Sequence, residues 1–178
     1  LLKRFRQSVL AAATSGKLTE EWRTDNPASC DSSQLANSIR ESHEAAGGHK
    51  KGNAAPPSED VHDLVPDMFP EGWQVMTLRE VVSPDRPITY GILMPGPELS
   101  EGVPYVRVAD FPNNQLNLST IRKTSVEMDE KFKRSRLREG DILLSIRGTV
   151  GRMIVIPPEL DRANITQDTA RLTIQPCL

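Results

Sequence analysis

Apolar positions follow a helical spacing at the start of the chain, thin out in its middle, and alternate in short runs through the rest. Leu2, Phe5, Val9 and Ala12/Ala13 form one stripe, with Lys3, Arg4, Arg6, Gln7 and Ser8 on the other faces, which predicts an amphipathic helix. Gly16 stands where a left-handed residue would end it. Thr19 is placed to cap a second short turn through Glu20, Glu21 and Trp22. An isolated helix this short is marginal in water, so the stripe implies a packing partner.

Between residues 24 and 66 the pattern lapses into Ser, Asn, Ala, Gly, Pro, Glu and His, punctuated by Gly47-Gly48, Lys50-Lys51 and Pro56-Pro57. Such composition buries too little apolar surface to order itself, so it predicts a flexible linker with a weak helix around Ser33–Ala46.

From Pro70 the period shortens to that of strands. EGWQVMTLREVV (71–82) opens with a turn and predicts that Trp73, Val75, Leu78 and Val82 point toward a core. Strand-like runs follow at Thr89–Leu93 and at Val103–Asp110, the latter with Val106 and Val108 on one face and Tyr105 and Arg107 on the other. Val126–Arg138 predicts a helix or helix–turn that turns Met128, Phe132 and Leu137 inward. Ile142–Ile146, Met153–Ile156 and Ala170–Ile174 are expected as strands. The expected class is α+β, in three parts: a helix end at 1–23, a linker at 24–69 and a β-rich domain at 70–178. The chain opens mid-pattern and stops just after a strand, so the helix looks cut and the last domain is expected to be incomplete at its C-terminus.

Composition narrows the function. Net charge is −2, so the chain as a whole lacks a strongly basic balance. Locally the picture differs: residues 122–152 hold nine Lys/Arg against five Asp/Glu, and a local patch outweighs the total because salt screens distant charges. Cys30 and Cys177 lie far apart with no CxxC spacing, which suits a reducing compartment. No apolar run is long enough to cross a bilayer and no signal peptide opens the chain, so a cytoplasmic location is expected.

The chemistry concentrates in GDILLSIRGTVGR (140–152). Gly148 and Gly151 bracket Thr149 and Val150 between Arg147 and Arg152, so guanidinium and hydroxyl groups stand on a tight turn suited to phosphates or base edges. KFKRSRLR (131–138) sets five cations in eight residues; it is either a solvated helix face or a phosphate grip through Lys131, Lys133, Arg134 and Arg136. Arg122 and Lys123 extend the same charge. In TYGILMPGP (89–97), Tyr90 and the backbone at Gly91 either pin a loop or approach a groove. Arg107 either contacts DNA or pairs with Asp110. Asn164, Thr166 and Gln167 either cap turns or read adenine, as Asn and Gln can. An aromatic content of 4% disfavours base stacking on a single strand and favours a duplex.

Catalysis finds little support. No nucleophile elbow, phosphate loop, dinucleotide fingerprint or HExxH stands in the chain. His43, His49 and His62 all fall in the linker, without the additional ligands a metal site requires.

LLKRFRQSVLAAATSGKLTEEWR at the start resembles the end of the central conserved helix of type I restriction–modification specificity subunits. EGWQVMTLREVV, ITYGILMPGP, GVPYVRVADF, GDILLSIRGTVGRMIVIP and ANITQDTARLTI resemble part of a target recognition domain of that family. The matches cover 1–23 and about 70–176, in the family's order. The resemblance implies a non-catalytic subunit that reads one half of a split duplex site, while long helices hold the two halves apart. It implies modification subunits that flip and methylate adenine with S-adenosylmethionine, and restriction subunits that use ATP and Mg²⁺. Those cofactors belong to partners, and none is implied in this chain. The competing expectation is a protein-interaction module that docks through its helix and leaves its cations in solvent.

Overall fold

The structure, a computed structural model, describes residues 2–26, 32–46, 69–70 and 72–175. The chain divides into two compact units, Leu1–Glu80 and Val81–Leu178. Much of the expected linker, with His49, His62 and Cys30, lies outside the described residues, as does Cys177.

In the first unit, α1 (Leu2–Thr14) gives way to Gly16 at φ 76°, the left-handed stop expected there. The expected Thr19 cap does not form. α2 (Glu20–Asp25) follows Thr19, but its hydroxyl accepts from Arg23 one turn on, at 2.6 Å, and makes no cap bond. The large residues of the α1 stripe are exposed: Leu2, Phe5 and Val9 by 84%, 68% and 39%. α3 (Ser32–Ala45) matches the weak helix expected at Ser33–Ala46 and buries Ala36 and Ile39. Trp73 is a correction: it is 43% exposed and stacks on Phe69 with ring centroids 5.9 Å apart. Residues 73–77 join no strand, so the alternation there buries nothing: Val75 is half-buried and Leu78 exposed, and of the expected set Val82 alone is fully buried.

A capping box starts the helical turn Leu78–Val81. The Thr77 N–H and hydroxyl donate to Glu80 Oε2 at 2.6 and 2.7 Å, and the Glu80 N–H returns a bond to the Thr77 hydroxyl at 3.3 Å. Arg40 of α3 donates to Glu80 Oε1 at 3.1 Å. Burial pushes the Glu80 carboxyl up, but the hydrogen bonds from Thr77 and Arg40 prevail and hold it below its ordinary value of 4.5. A carboxyl depressed in the folded state contributes stability above its unfolded value and loses it as pH falls through the folded one. Glu80→Gln is therefore expected to cost about 1 kcal/mol at neutral pH, and to flatten the loss of stability as pH falls below 4.5. Thermal melts at stepped pH check this; parallel acid limbs for the two proteins would refute it.

The second unit carries β1 (Thr89–Tyr90), β2 (Val103–Val106), β3 (Arg122–Thr124), α4 (Val126–Lys131), β4 (Ile142–Ser145), β5 (Met153–Val155), β6 (Asn164–Ile165) and β7 (Thr169–Leu172). A four-stranded antiparallel sheet runs β1-β7-β4-β5, and a three-stranded sheet runs β3-β2-β6. In the latter β2 pairs antiparallel with β3 and parallel with β6. Leu143, Ile154 and Ile156 from the larger sheet meet Val106 and Ile165 from the smaller, with Phe111, Leu137, Leu160 and Ala163 completing one core.

β2 differs from its expected two-faced form, because Tyr105 and Val106 are both buried. Val108 begins a 3-10 turn, Val108–Asp110, rather than prolonging the strand. Gly91 is likewise drawn in. The Ile92 N–H donates to the Ile165 carbonyl at 2.7 Å and the Gln167 N–H to the Ile92 carbonyl at 2.9 Å. A Cβ on Gly91 would collide with that Ile165 carbonyl, so of the two alternatives the backbone at Gly91 takes the structural one and packs inside the domain. On the edge strand β5, Asn114, itself at φ 61°, accepts the Met153 N–H through its side-chain carbonyl at 3.0 Å.

Candidate nucleic-acid interface

The glycine turn is built as its sequence suggests. β4 ends in buried Ser145, and Ile146 through Gly151 are exposed. Gly148 and Gly151 take φ 69° and 91°, conformations open to glycine and strained for other residues. Ser145 ties the base of the turn: its hydroxyl donates to the Thr149 carbonyl and accepts the Arg152 N–H at 2.8 Å. Its backbone also bonds Arg152 and Gly151. Sequence inspection passes over Ser145, since a serine closing an apolar run resembles any strand end.

The structure joins two features that lie apart in the chain. Arg147 Nη1 donates to Gln167 Oε1 at 3.2 Å, and the N–H groups of Ile146 and Arg147 both reach the Asp168 carbonyl. An exposed guanidinium and an amide thus stand side by side, with the remaining Arg147 donors and the Gln167 NH₂ uncommitted among the described residues. Arg152 is half-buried, with no side-chain partner among the described residues, and Thr149 is exposed. Tyr90, 58% exposed, projects from β1 at the opposite edge of the sheet from β5.

Other expected contacts are occupied by the fold. Asn164 is completely buried and belongs to no surface loop. Its NH₂ donates to Asp129 at 2.8 Å and to the Phe132 carbonyl, while its Oδ1 accepts from Ser135 and from the Ile165 N–H. Parallel pairing with β2 draws it in, and the polar sequence ANIT conceals that pairing. Thr166 is 7% exposed and Gln167 half-buried. Arg107 clamps Asp110 through Nε and Nη2 at 3.1 and 2.6 Å and also donates to the Thr120 carbonyl. The Asp110 hydrogen bonds push the Arg107 guanidinium further up, against a burial penalty. Arg107 therefore takes the structural alternative.

The cations of the 122–138 segment divide. Arg136 pairs with Asp129 and Glu130, at 2.6 Å each, and those bonds raise its already high pKa. Lys131 and Lys133 pair with Glu127 and Glu130 at the surface, and Arg122 with Glu98; exposed pairs of this kind hold their partners weakly. Lys123 donates to the Ser100 carbonyl at 3.1 Å. Arg134 is exposed with no ion pair among the described residues. Lys133, Arg134 and Arg136 line a cleft of about 1150 Å³ that takes in no residue of the glycine turn. The run precedes β4 and the turn follows it.

Among the described residues no group of His, Cys, Asp and Glu is placed to hold a metal ion, and no helix is long and apolar enough to cross a membrane.

These elements define an α+β chain in which a helical unit precedes a small two-sheet domain displaying cations and amides. No family model matches the sequence. Over 173 residues, 97% of this chain, it is 30% identical to the type I restriction enzyme EcoBI specificity subunit of Escherichia coli. The chain spans about 30% of the length of that relative. Looser structural likeness extends over the whole chain to the HsdS subunit of Thermoanaerobacter tengcongensis, with 19% identity, a TM-score of 0.44 and 38% of that chain covered. A structure of a type I R-M system aligns over 97% of this chain and 37% of its own, again at 19% identity, with a TM-score of 0.43. The sequence relation agrees with the resemblance that the motifs show: nearly the whole of this chain aligns with a segment of that specificity subunit.

Proposed function

We propose that this chain contributes sequence-specific recognition of double-stranded DNA to a type I restriction–modification complex. The observation that carries the proposal is the 30% identity to a specificity subunit across 97% of the chain. The turn supports it chemically. Arg147 and Gln167 present a guanidinium and an amide together, groups that pair with guanine and adenine edges in the major groove, and Arg152 and Thr149 flank them. In this reading the chain itself is non-catalytic. Adenine methylation with S-adenosylmethionine, and cleavage dependent on ATP and Mg²⁺, belong to modification and restriction subunits, and the assembly works in the cytoplasm.

The test is duplex binding by the 178-residue chain after selection from a randomised pool, followed across 50 to 200 mM salt. Affinity is expected to fall steeply with salt as counterions are released. Arg147→Ala is expected to weaken the selected duplex about tenfold and to relax preference at a base pair, a loss at the low end of the 1–3 kcal/mol of a base contact. A flat salt response would overturn the proposal.

The bare stripe of α1 favours a second activity, docking on a helical partner, which is the interaction-module alternative. If docking is the whole function, reversing the charges of Arg134, Arg136 and Arg147 leaves duplex affinity of the assembled complex unchanged.

A further inference from the structure

The cleft before β4 holds a charge that the fold leaves unbalanced. Arg171, on the central strand β7, is 3% exposed. Its Nη1 donates to the carbonyls of Arg134 and Arg136 at 2.6 and 3.1 Å, and its Nη2 to that of Pro87 at 3.1 Å. Its Nε is buried without a hydrogen-bond partner. No carboxylate forms an ion pair with it among the described residues. Asp141, the acid that could, is taken: Oδ1 accepts from Arg86 and Thr173, and Oδ2 from Arg86 and the Arg138 N–H.

A buried cation held by carbonyl dipoles alone is costly, and a second cation nearby makes it worse. Burial first, and then repulsion from Arg86, push the Arg171 guanidinium down to about 10, although Asp141 opposes them. The rim adds to the imbalance. Arg134, Arg138 and Arg162 are exposed and form no ion pair among the described residues, and Arg162 is held at φ 65°, a strained conformation for a residue with a side chain. Seven basic residues against four acidic ones line the cleft. An excess of guanidinium groups about a concave wall suits a tetrahedral oxyanion, which offers several acceptors to forked donors.

We propose that this cleft binds a phosphoryl oxyanion, with Arg171 supplying the buried charge and Arg134, Arg138 and Arg162 the direct contacts. The ion is either free inorganic phosphate or a phosphodiester of a bound strand; only the second form rests on the DNA-binding proposal above.

The experiment uses the 178-residue chain and Arg138→Ala/Arg162→Ala, a double variant of exposed side chains outside the core. Inorganic phosphate is titrated against chloride at matched ionic strength, followed by thermal melting and by phosphorus NMR. The wild type is expected to gain melting temperature saturably in phosphate, and the variant to need at least about tenfold more, having given up most of the rim's charge-assisted hydrogen bonds. In parallel, duplex affinity is measured against salt for wild type, double variant and Arg147→Ala. A salt slope lowered by about one for each phosphate that the double variant no longer grips assigns the site to a strand phosphate. A response to free phosphate with an unchanged duplex slope assigns it to the free ion. If neither inorganic phosphate nor the duplex distinguishes the double variant from wild type, the proposal falls. A chain that binds phosphate but no duplex refutes the DNA proposal and leaves this one standing.

Discussion

Asn164→Ala should destabilise the second unit by roughly 3–4 kcal/mol, because two or three buried groups each lose a partner worth about 1–3 kcal/mol. The amide ties α4, the 3-10 turn Lys133–Ser135 and β6 into one network. Removing it strips a donor from the buried Asp129 carboxylate, an acceptor from Ser135 and the local acceptor of the Ile165 N–H. Asp129 would keep Arg136, so the ion pair survives and the loss stays short of a bare buried charge. Chemical denaturation of both proteins measures the difference. A variant as stable as the wild type, but defective in duplex binding, would restore Asn164 to the set of base contacts and overturn the structural role given to it here.

A comparably large effect is expected at a residue with no side chain. In Gly91→Ala the new Cβ would enter the space of the Ile165 carbonyl, which is main chain and cannot rotate away. Relief requires Gly91 and Ile92 to move off β6, breaking the bond from the Ile92 N–H to Ile165. Overpacking against backbone is expected to cost about 3 kcal/mol, the upper part of the usual range. For a unit of this size that lowers the melting temperature on the order of 12–20 °C. Calorimetry gives the shift, and amide exchange at Ile92 locates it. An unshifted melt would mean that the segment 89–92 moves aside freely, and the close packing of Gly91 on Ile165 would be wrong.

How far the chain could be read from its residues depends on which physical signal each element carries. α1 and Gly16 were legible because a helical stripe and a left-handed stop are local. So were β4, β5 and β7, whose apolar runs are bounded by turns. β3 and β6 were not: RKT and NI carry no alternation, and both exist because β2 lies between them. The same blindness affected the site. Arg147 and Gln167 each carry a local signal, yet only the fold reveals that they touch. Arg107 and Asn164 carry side chains suited to nucleic acid, and tertiary partners claim both. Arg171 carries a subtler signal: an arginine inside the apolar run TARLTI stands where a strand buried on both faces leaves it no solvent. Trp73 erred in the opposite direction, because an aromatic residue after a turn reads as an anchor wherever it falls.

The bond from Met153 to Asn114 bears on what the outer margin of the larger sheet can pair with. Antiparallel pairing turns the Met153 and Val155 N–H groups away from β4, toward a flank whose outward side chains are apolar. A bare margin of that kind would template a neighbouring chain and seed aggregates. The asparagine occupies the first open donor, which leaves an incoming strand a shortened ladder on which to register.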